Sequence, residues 1–261
     1  DMPEDKLYAM YTEGGDLRLV SNSNGVWSNL LYFNSGSWPS LAMNQETNHV
    51  MIAYHEEANS DLKGAHWNPS VSGGGGATLD GDSGVDVGEY ASNAICTQSM
   101  TYCGATSDTD YRHISYYDET NGDLKRAWYN GVWNTQTIDS EGDVGLYTSI
   151  ALDSLGAIHI SYLDKTNDDL KYATSTSGNE GTWQTTTVDT IGDVGIYGSI
   201  AIDSNDEVHI SYHDQTNGNL KYAKFDGNNW DISTLDTGTN GNTGSRTSIA
   251  IDSNDKIYIS Y

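Results

Sequence analysis

Basic residues are scarce in this chain: 12 lysines and arginines stand against 37 aspartates and glutamates, a formal net charge of −25 over 261 residues. Such a protein has no basic surface with which to release counterions from phosphate, and anionic lipid repels it. It also lacks an apolar run long enough for a membrane-spanning helix, and its first residues lack the basic and apolar stretches of a signal peptide. We therefore expect no nucleic acid and no membrane insertion, and if the protein is exported, this is the processed chain.

An internal repeat organises the sequence. The tetrapeptide His-Ile-Ser-Tyr begins at His113, His159 and His209, and Tyr-Ile-Ser-Tyr begins at Tyr258, at intervals of 46, 50 and 49 residues. Each unit contains four short segments rich in Ile, Val, Thr and Tyr, separated by Asn-Gly and Asp-Gly turns, and no amphipathic helical stretch interrupts them. A period near fifty with four strands per unit predicts an all-β β-propeller, with one propeller domain over residues 1–261.

The number of blades follows from how the two ends are interpreted. We predict five four-stranded blades, with residues 248–252 completing the blade that begins at the N-terminus. This closure leaves one second-type strand surplus, either residues 7–11 or residues 257–261. Six blades, a fragment of a longer propeller, and a surplus strand that pairs with a neighbouring molecule are the alternatives.

The repeat motifs resemble a known group of proteins. The segments Ser-Ile-Ala-Ile-Asp-Ser, His-Ile-Ser-Tyr and Asn-Gly-Asn-Leu-Lys-Tyr-Ala, followed by Trp, resemble the repeats of extracellular bacterial and archaeal β-propeller proteins and, distantly, the Asp-box propellers of sialidase type. Five-bladed propellers with units of this length look like lectins or furanosidase scaffolds. The resemblance covers most of the chain but implies architecture only, and no catalytic motif of either group is present to carry over.

A residue that recurs in every blade usually has a structural role that every blade needs, such as packing or hydrogen bonding. We therefore interpret the second-strand histidines as packing or inter-blade hydrogen-bonding residues, and the tryptophans that open the fourth strands as packing residues. The third-strand cations, such as Lys125 and Lys171, each follow an acidic hairpin by seven residues. This spacing predicts a repeated ion pair or a lysine stem that covers apolar surface.

One repeated position is a candidate ligand site. It lies just before the first strand of each blade, and because first strands are innermost in a propeller, its five residues should surround the mouth of the central channel: Trp38, Tyr90, Tyr147, Tyr197 and Arg246. Aromatic faces with polar tips suit sugar rings. The alternative is that each tyrosine caps the gap between neighbouring blades. The Trp and Arg favour binding, because they break a symmetry that packing alone would keep.

The same connecting segments carry Asp86, Asp143 and Asp193. Oxygen-rich loops can bind calcium, but six to eight oxygens must converge and the chain has no EF-hand loop. Ordinary Asx turns explain the same residues without a metal. We therefore expect no cofactor, with calcium at these three aspartates as the alternative.

The two cysteines lie where the repeat is broken. Cys96 ends the first strand of its blade, and Cys103 lies in an insertion of 11 residues before the second strand. Their spacing matches no strong metal or redox motif. We predict a disulfide that staples this loop, with two free thiols as the alternative, and a disulfide favours an extracellular or cell-surface location.

These observations favour an extracellular, non-enzymatic binding module for carbohydrate or surface adhesion, with a glycan or a cell-surface protein as partner. The second hypothesis is a glycan hydrolase or lyase, for which His55 and His213 are the acid–base candidates because the intervening blades do not repeat them. The third is a structural subunit that self-associates through a terminal strand.

Overall fold

The computed structural model describes residues 7–23, 25–44, 49–67, 74–81, 84–97, 100, 111–175, 182–238 and 243–261. Every regular element in these residues is a β-strand, which agrees with the repeat of short β-branched and aromatic segments. No helix long and apolar enough to cross a bilayer occurs in this part of the chain.

The strands form six antiparallel sheets in chain order. The first sheet contains β1 (Leu7–Glu13), β2 (Asp16–Ser23) and β3 (Val26–Phe33). The second contains β4 (Gly36–Asn44), β5 (His49–Glu56), β6 (Asp61–Trp67) and β7 (Gly74–Asp80). The third contains β8 (Val87–Cys96), β9 (Tyr111–Asp118), β10 (Asp123–Tyr129) and β11 (Trp133–Asp139).

The fourth sheet contains β12 (Val144–Leu152), β13 (Ile158–Asp164), β14 (Asp169–Ser175) and β15 (Gln184–Asp189). The fifth contains β16 (Val194–Ile202), β17 (Val208–Asp214), β18 (Asn219–Phe225) and β19 (Trp230–Asp236). The sixth contains β20 (Ser248–Ile251) and β21 (Ile257–Ser260). Four sheets therefore have the predicted four strands, and the architecture is an all-β propeller of five or six blades.

The expected junction between the two chain ends is wrong. We predicted that residues 248–252 complete the sheet that begins at the N-terminus, but β20 pairs with β21 in the register Ser248↔Ser260, and β1 pairs with β2. Both β1 and β21 are second-type strands, so they compete for the same edge of β20. A short local turn joins β20 to β21, and such a turn costs less loop entropy than pairing across the whole chain.

The hydrophobic core lies between sheets rather than within one of them. One cluster joins Leu62 and Leu79 of the second sheet to Ile114 and Ala127 of the third, and similar clusters join the first sheet to the second, the third to the fourth and the fourth to the fifth. The first strands β4, β8, β12, β16 and β20 contact one another in that order. The second, third and fourth sheets thus bury both faces against their neighbours, as propeller blades do.

A buried polar cluster also joins neighbouring sheets. Asp139, at the end of the third sheet, accepts hydrogen bonds from Tyr162 Oη at 2.6 Å and Lys171 Nζ at 2.6 Å, both in the fourth sheet. The same arrangement recurs twice, and we call the three sets the Tyr–Asp–Lys clusters: Tyr116–Asp80–Lys125, Tyr162–Asp139–Lys171 and Tyr212–Asp189–Lys221. The predicted repeated ion pair is confirmed, but its main acid lies in the preceding sheet rather than in the hairpin. The hairpin carboxylate Asp164 is 3.9 Å from Lys171 Nζ.

The repeated histidines are buried inside their own sheets. His159 Nδ1 lies 2.6 Å from the Tyr172 hydroxyl of the adjacent strand, and His209 makes the same contact with Tyr222 at 2.5 Å. Burial, with a smaller contribution from Arg126, lowers the pKa of His113 to about 3, so this ring is neutral. The expected packing role is confirmed, but these hydrogen bonds lie within a blade and not between blades.

The fourth-strand tryptophans follow the predicted packing role in three of four sheets. Trp133, Trp183 and Trp230 pack against the inter-sheet clusters, whereas Trp27 is 51% exposed. Cys96 is fully buried at the end of β8, and Cys103 lies outside the described residues, so the disulfide stays a prediction.

Candidate functional site

Five large side chains share an unusual backbone conformation at one end of the propeller. Trp38, Tyr90, Tyr147, Tyr197 and Arg246 all have positive φ, between 51° and 61°. We call them the mouth ring. Sequence reasoning placed the tyrosines in loops before the first strands, whereas the structure places them inside β8, β12 and β16, where the pairing register shifts. The bulge turns each side chain away from the regular pleat.

A glycine two residues earlier makes this geometry feasible. Gly145, which precedes Tyr147, has φ +112°, and a Cβ there would lie 2.7 Å from Leu124 Cα of the preceding sheet. Gly88 precedes Tyr90 in the same way, and a Cβ on Gly88 would lie at the same distance from Leu62 Cα. The Gly-x-aromatic pattern therefore lets the inner strand approach its neighbour closely before it bulges.

The mouth ring surrounds a cavity of about 610 Å³, a size typical of small-ligand sites. Each ring residue is followed by a small or compact one, and these also line the cavity: Pro39, Ala91, Thr148, Gly198 and Thr247. Sequence reasoning missed these five neighbours, although their position directly after the ring residues is a signal that could have found them. Large side chains and small ones thus alternate along the segments that line the cavity.

Ring residues contact one another in chain order around the mouth. The ring centroids of Trp38 and Tyr90 are 4.2 Å apart, those of Tyr90 and Tyr147 are 4.6 Å apart, and those of Tyr147 and Tyr197 are 4.8 Å apart. The Arg246 guanidinium lies 6.0 Å from the Tyr197 ring centroid. The structure therefore brings all five predicted residues together in one site.

The mouth combines apolar faces with neutral hydroxyls and one cation. Burial, followed by the effect of the adjacent Tyr147, raises the pKa of Tyr90 well above its ordinary value, and burial also raises the pKa of Tyr147. Both hydroxyls therefore stay protonated and can donate as well as accept hydrogen bonds. Trp38 is 41% exposed and Arg246 is exposed, so ligand can reach both ends of the row.

The three aspartates considered for calcium lie in equivalent positions of different sheets. Asp86 Oδ1 is 2.9 Å from His55 Nε2, and Asp143 Oδ1 accepts a hydrogen bond from Tyr117 Oη at 2.6 Å. Asp193 Oδ1 is buried without a hydrogen-bond partner in the described structure, because the equivalent position of the preceding sheet is Leu163. Burial, then the charge of Asp168, raises the pKa of Asp193. Calcium at these residues stays the alternative to the expectation of no cofactor.

Acid–base groups near the mouth are few. Among the described residues that line the cavity there is no Asp or Glu. Glu89 precedes Tyr90 in the chain; burial, followed by the charge of Glu119, raises its pKa, while the Trp38 indole acts weakly in the opposite direction. The candidates His55 and His213 are 6% and 5% exposed, and His55 contacts Ser37 and Asp86.

A second cavity of about 210 Å³ lies between the second and third sheets. His66, Arg112, Tyr129 and Trp133 contribute to its lining. The Arg112 guanidinium lies 5.2 Å from the Tyr129 ring centroid. This cavity is smaller than the mouth and occurs at one sheet interface, so it provides a contrasting location for tests of ligand binding.

Comparison with known proteins identifies the fold but no sequence family. No family model and no curated protein matches the sequence. The fucose-specific lectin from Aleuria aurantia is similar in structure, with a TM-score of 0.64 at 12% identity over 97% of this chain and 82% of the lectin. AofleA from Arthrobotrys oligospora is similar with a TM-score of 0.61 at 15% identity, over 91% of this chain and 70% of AofleA. The GH93 α-L-arabinofuranosidase of Fusarium graminearum is similar with a TM-score of 0.59 at 11% identity, over 96% of this chain and 82% of the enzyme. These likenesses show that the chain has the β-propeller fold of lectins and glycoside hydrolases.

Proposed function

We propose that this protein is a carbohydrate-binding module and that the mouth ring binds the sugar. The observation that supports this most strongly is the positive φ shared by all five ring residues. A left-handed backbone costs an L-residue roughly 1–2 kcal/mol, and a bulky aromatic rarely adopts it. Strain of this kind accumulates where a side chain must be presented to a ligand.

The chemistry of the mouth fits a pyranose. The C–H face of a sugar ring stacks on aromatic rings, while its hydroxyl groups need neutral donors and acceptors. Tyr90, Tyr147 and Tyr197 supply both kinds of contact, and the cavity of about 610 Å³ is large enough for one or two sugar rings. The fucose specificity of the Aleuria aurantia lectin supports the same ligand class.

Binding can be tested with a glycan array followed by titration of methyl glycosides, including methyl α-L-fucoside. We expect Tyr147→Ala to weaken binding about tenfold or more, because loss of an aromatic stacking contact of about 1.5 kcal/mol corresponds to roughly that factor. Trp27→Ala is the matched control, because Trp27 is also an exposed aromatic but lines a separate cavity of about 340 Å³ on the first sheet.

The same titration has clear contrary outcomes. Unchanged affinity in both Tyr147→Ala and Tyr197→Ala would exclude the mouth ring as the site. Loss of binding in Arg112→Ala alone would place the sugar in the cavity between the second and third sheets. The absence of any glycan ligand for the wild-type chain would contradict the proposed function itself.

A glycan hydrolase is the second candidate, and Glu89 is the observation that favours it. A half-buried carboxyl with a raised pKa beside a ligand cavity is suited to act as a general acid. Hydrolysis of an aryl glycoside that disappears in Glu89→Gln, while binding persists, would support an enzyme. Binding without turnover in the wild type would leave the module non-enzymatic.

An extracellular or cell-surface location, with adhesion to a glycan or surface protein, belongs to the same proposal. It is supported by the disulfide predicted between Cys96 and Cys103. Mass spectrometry after alkylation tests this pair: we expect both thiols to be modified only after reduction. Self-association through a terminal strand is a separate hypothesis, and a concentration-independent monomer in analytical ultracentrifugation would contradict it.

A further inference from the structure

The turn between β16 and β17 brings two carboxylates and one imidazole together at the end of the fifth sheet: Asp203, Glu207 and His209. Asp203 organises this turn: its Oδ1 accepts hydrogen bonds from the backbone N–H groups of Asn205 and Glu207, each at 2.9 Å. Oδ2 is left facing the following strand.

His209 directs an unpartnered nitrogen into this turn. The side chain is 2% exposed, and Nδ1 lies 2.5 Å from the Tyr222 hydroxyl. Nε2 lies 3.3 Å from Asp203 Oδ2 but makes no acceptable hydrogen bond within the described residues. A buried polar nitrogen without a hydrogen bond is unfavourable. His159 Nε2 in the fourth sheet is buried in the same way, so the third side chain, Glu207, is what distinguishes the turn of the fifth sheet.

Glu207 completes a set of three. One ligand atom from each of Asp203, Glu207 and His209 lies within 4.8 Å of the other two, and this is the one such group found among the described residues. Any two ligand atoms of a tetrahedral ion with bonds of about 2.1 Å lie about 3.4 Å apart. Small side-chain rotations would therefore bring all three atoms onto one ion.

We propose that Asp203, Glu207 and His209 form a binding site for a divalent transition metal ion such as Zn²⁺. One imidazole and two carboxylates are ligands that Zn²⁺ uses, with water in the fourth position. Tyr222 orients the imidazole: when Nδ1–H donates to the Tyr222 hydroxyl, the lone pair of Nε2 is available to the metal.

Lys224 opposes metal binding at this site. Its Nζ lies 2.6 Å from Glu207 Oε2, and Lys224 pairs with His209 across β17 and β18. The lysine and the metal ion compete for the same carboxylate. This competition identifies a variant that should bind metal more tightly than the wild type.

The fourth sheet contains a natural control for the proposal. Its equivalent turn has Asp153, His159 and Tyr172 in the same arrangement, with His159 Nε2 3.6 Å from Asp153 Oδ2. The position of Glu207 is taken there by Ala157, and that of Lys224 by Thr174. Two ligands are therefore repeated by the fold, and the third is supplied by the fifth sheet.

The site is separate from the mouth ring. Tyr197 lies on β16 and Asp203 follows the end of that strand, six residues later, which at about 3.3 Å per residue separates them by no more than about 20 Å. Ser204, next to Asp203, donates from its backbone N and Oγ to Asp255 of the sixth sheet at 2.9 and 2.6 Å. A bound ion would therefore stabilise the turn between β16 and β17, which is hydrogen-bonded to the sixth sheet through Ser204 and Asp255.

The test is titration of the chelator-treated full chain with ZnCl₂ by calorimetry, with thermal unfolding in parallel. We expect one site in the wild type and a Tm that rises with zinc concentration, because the ion binds the folded state. Glu207→Gln should weaken binding at least tenfold, Lys224→Met should strengthen it, and Ala157→Glu should add a second site. Unfolding without zinc shows that each variant is folded.

Three results would overturn the proposal. They are no zinc binding by the wild type, equal stoichiometry and affinity in the wild type and Glu207→Gln, and calcium binding that equals zinc binding and is unaffected by Glu207→Gln. Because the glycan titration uses different residues, failure of the metal site leaves the carbohydrate proposal untouched.

Discussion

The Tyr–Asp–Lys clusters and the mouth ring are both repeated around the propeller, but the clusters repeat side chains and their contacts, whereas the mouth ring repeats a backbone angle. Inside the molecule, the same three residue types make the same contacts at three sheet junctions. At the mouth, the backbone angle is repeated in five units while the side chain changes from Trp to Tyr to Arg. Packing between blades therefore needs the identity of the buried residues, whereas the mouth keeps a backbone geometry that presents whichever side chain stands there.

Loss of a buried cluster acid should give the largest effect on stability. In Asp139→Ala, Lys171 Nζ and Tyr162 Oη lose their acceptor in a buried site, and Lys171 is only 7% exposed. Removal of one partner from a buried ion pair costs about 3–5 kcal/mol. We expect a loss of this size in the free energy of unfolding, measured by urea denaturation.

The first sheet provides the control for this variant. Arg18 occupies the same third-strand position, but its ion pair with Glu13, at 2.8 Å, has side chains that are 32% and 62% exposed. Exposed ion pairs contribute about 0–1 kcal/mol. A loss in Glu13→Ala equal to that in Asp139→Ala would show that burial does not distinguish the two pairs.

The next largest effect is expected at low pH, which should weaken the Tyr–Asp–Lys clusters but not the mouth ring. Although burial opposes ionisation, Lys171 and Tyr162 lower the pKa of Asp139 in the folded protein, and Lys221 and Tyr212 do the same for Asp189. An unfolded aspartate titrates near pH 3.9. The stability that these acids contribute is therefore complete above that pH and is lost as the pH falls below about 4 towards the lowered folded values.

Urea denaturation between pH 7 and pH 3 measures this loss, and Asp139→Asn should show a shallower dependence on pH than the wild type. The mouth ring should behave differently. Because the pKa values of Tyr90 and Tyr147 are raised, glycan affinity should stay constant between pH 6 and pH 9. A decrease in affinity across that interval would assign a titrating group to the mouth.

The sequence predicts which residues form the mouth ring, but for the Tyr–Asp–Lys clusters it predicts the strands and not the partners. The repeated His-Ile-Ser-Tyr and Leu-Lys segments locate β13 and β14, and the repeated position before each first strand identifies all five mouth residues. The partner of Lys171 could not be predicted, because Asp139 is 32 residues away in another sheet and a hairpin acid lies closer in sequence. The bulge at Tyr147 was missed because alternation of polar and apolar residues does not report positive φ.

The ends of the chain were the least predictable part of the fold. The sequence contains two second-type strands, β1 and β21, that suit one place beside β20. Pattern alone cannot choose between them, since both segments carry tyrosines at the same two positions of the repeat, Tyr8 and Tyr11 in one and Tyr258 and Tyr261 in the other. The proposed metal site was missed for a related reason: His209 belongs to the repeat and was interpreted as a packing or hydrogen-bonding residue. Asp203 and Glu207 become informative only when the turn brings them beside it.

Replacement of Arg246 by glycine should give the smallest change in stability and sharpens the contrast most directly. Arg246 is exposed and has φ 61°, a conformation that costs an arginine roughly 1–2 kcal/mol and a glycine almost nothing. The greater flexibility of glycine in the unfolded chain offsets part of this gain, so we expect Arg246→Gly to be more stable by up to about 1 kcal/mol. Ser35→Gly, at φ 52° outside the mouth ring, should give a similar gain without any effect on glycan binding. A stable Arg246→Gly that binds glycan less tightly would show that the mouth keeps this strained side chain for its ligand, whereas a less stable variant would assign Arg246 to packing, like the residues of the Tyr–Asp–Lys clusters.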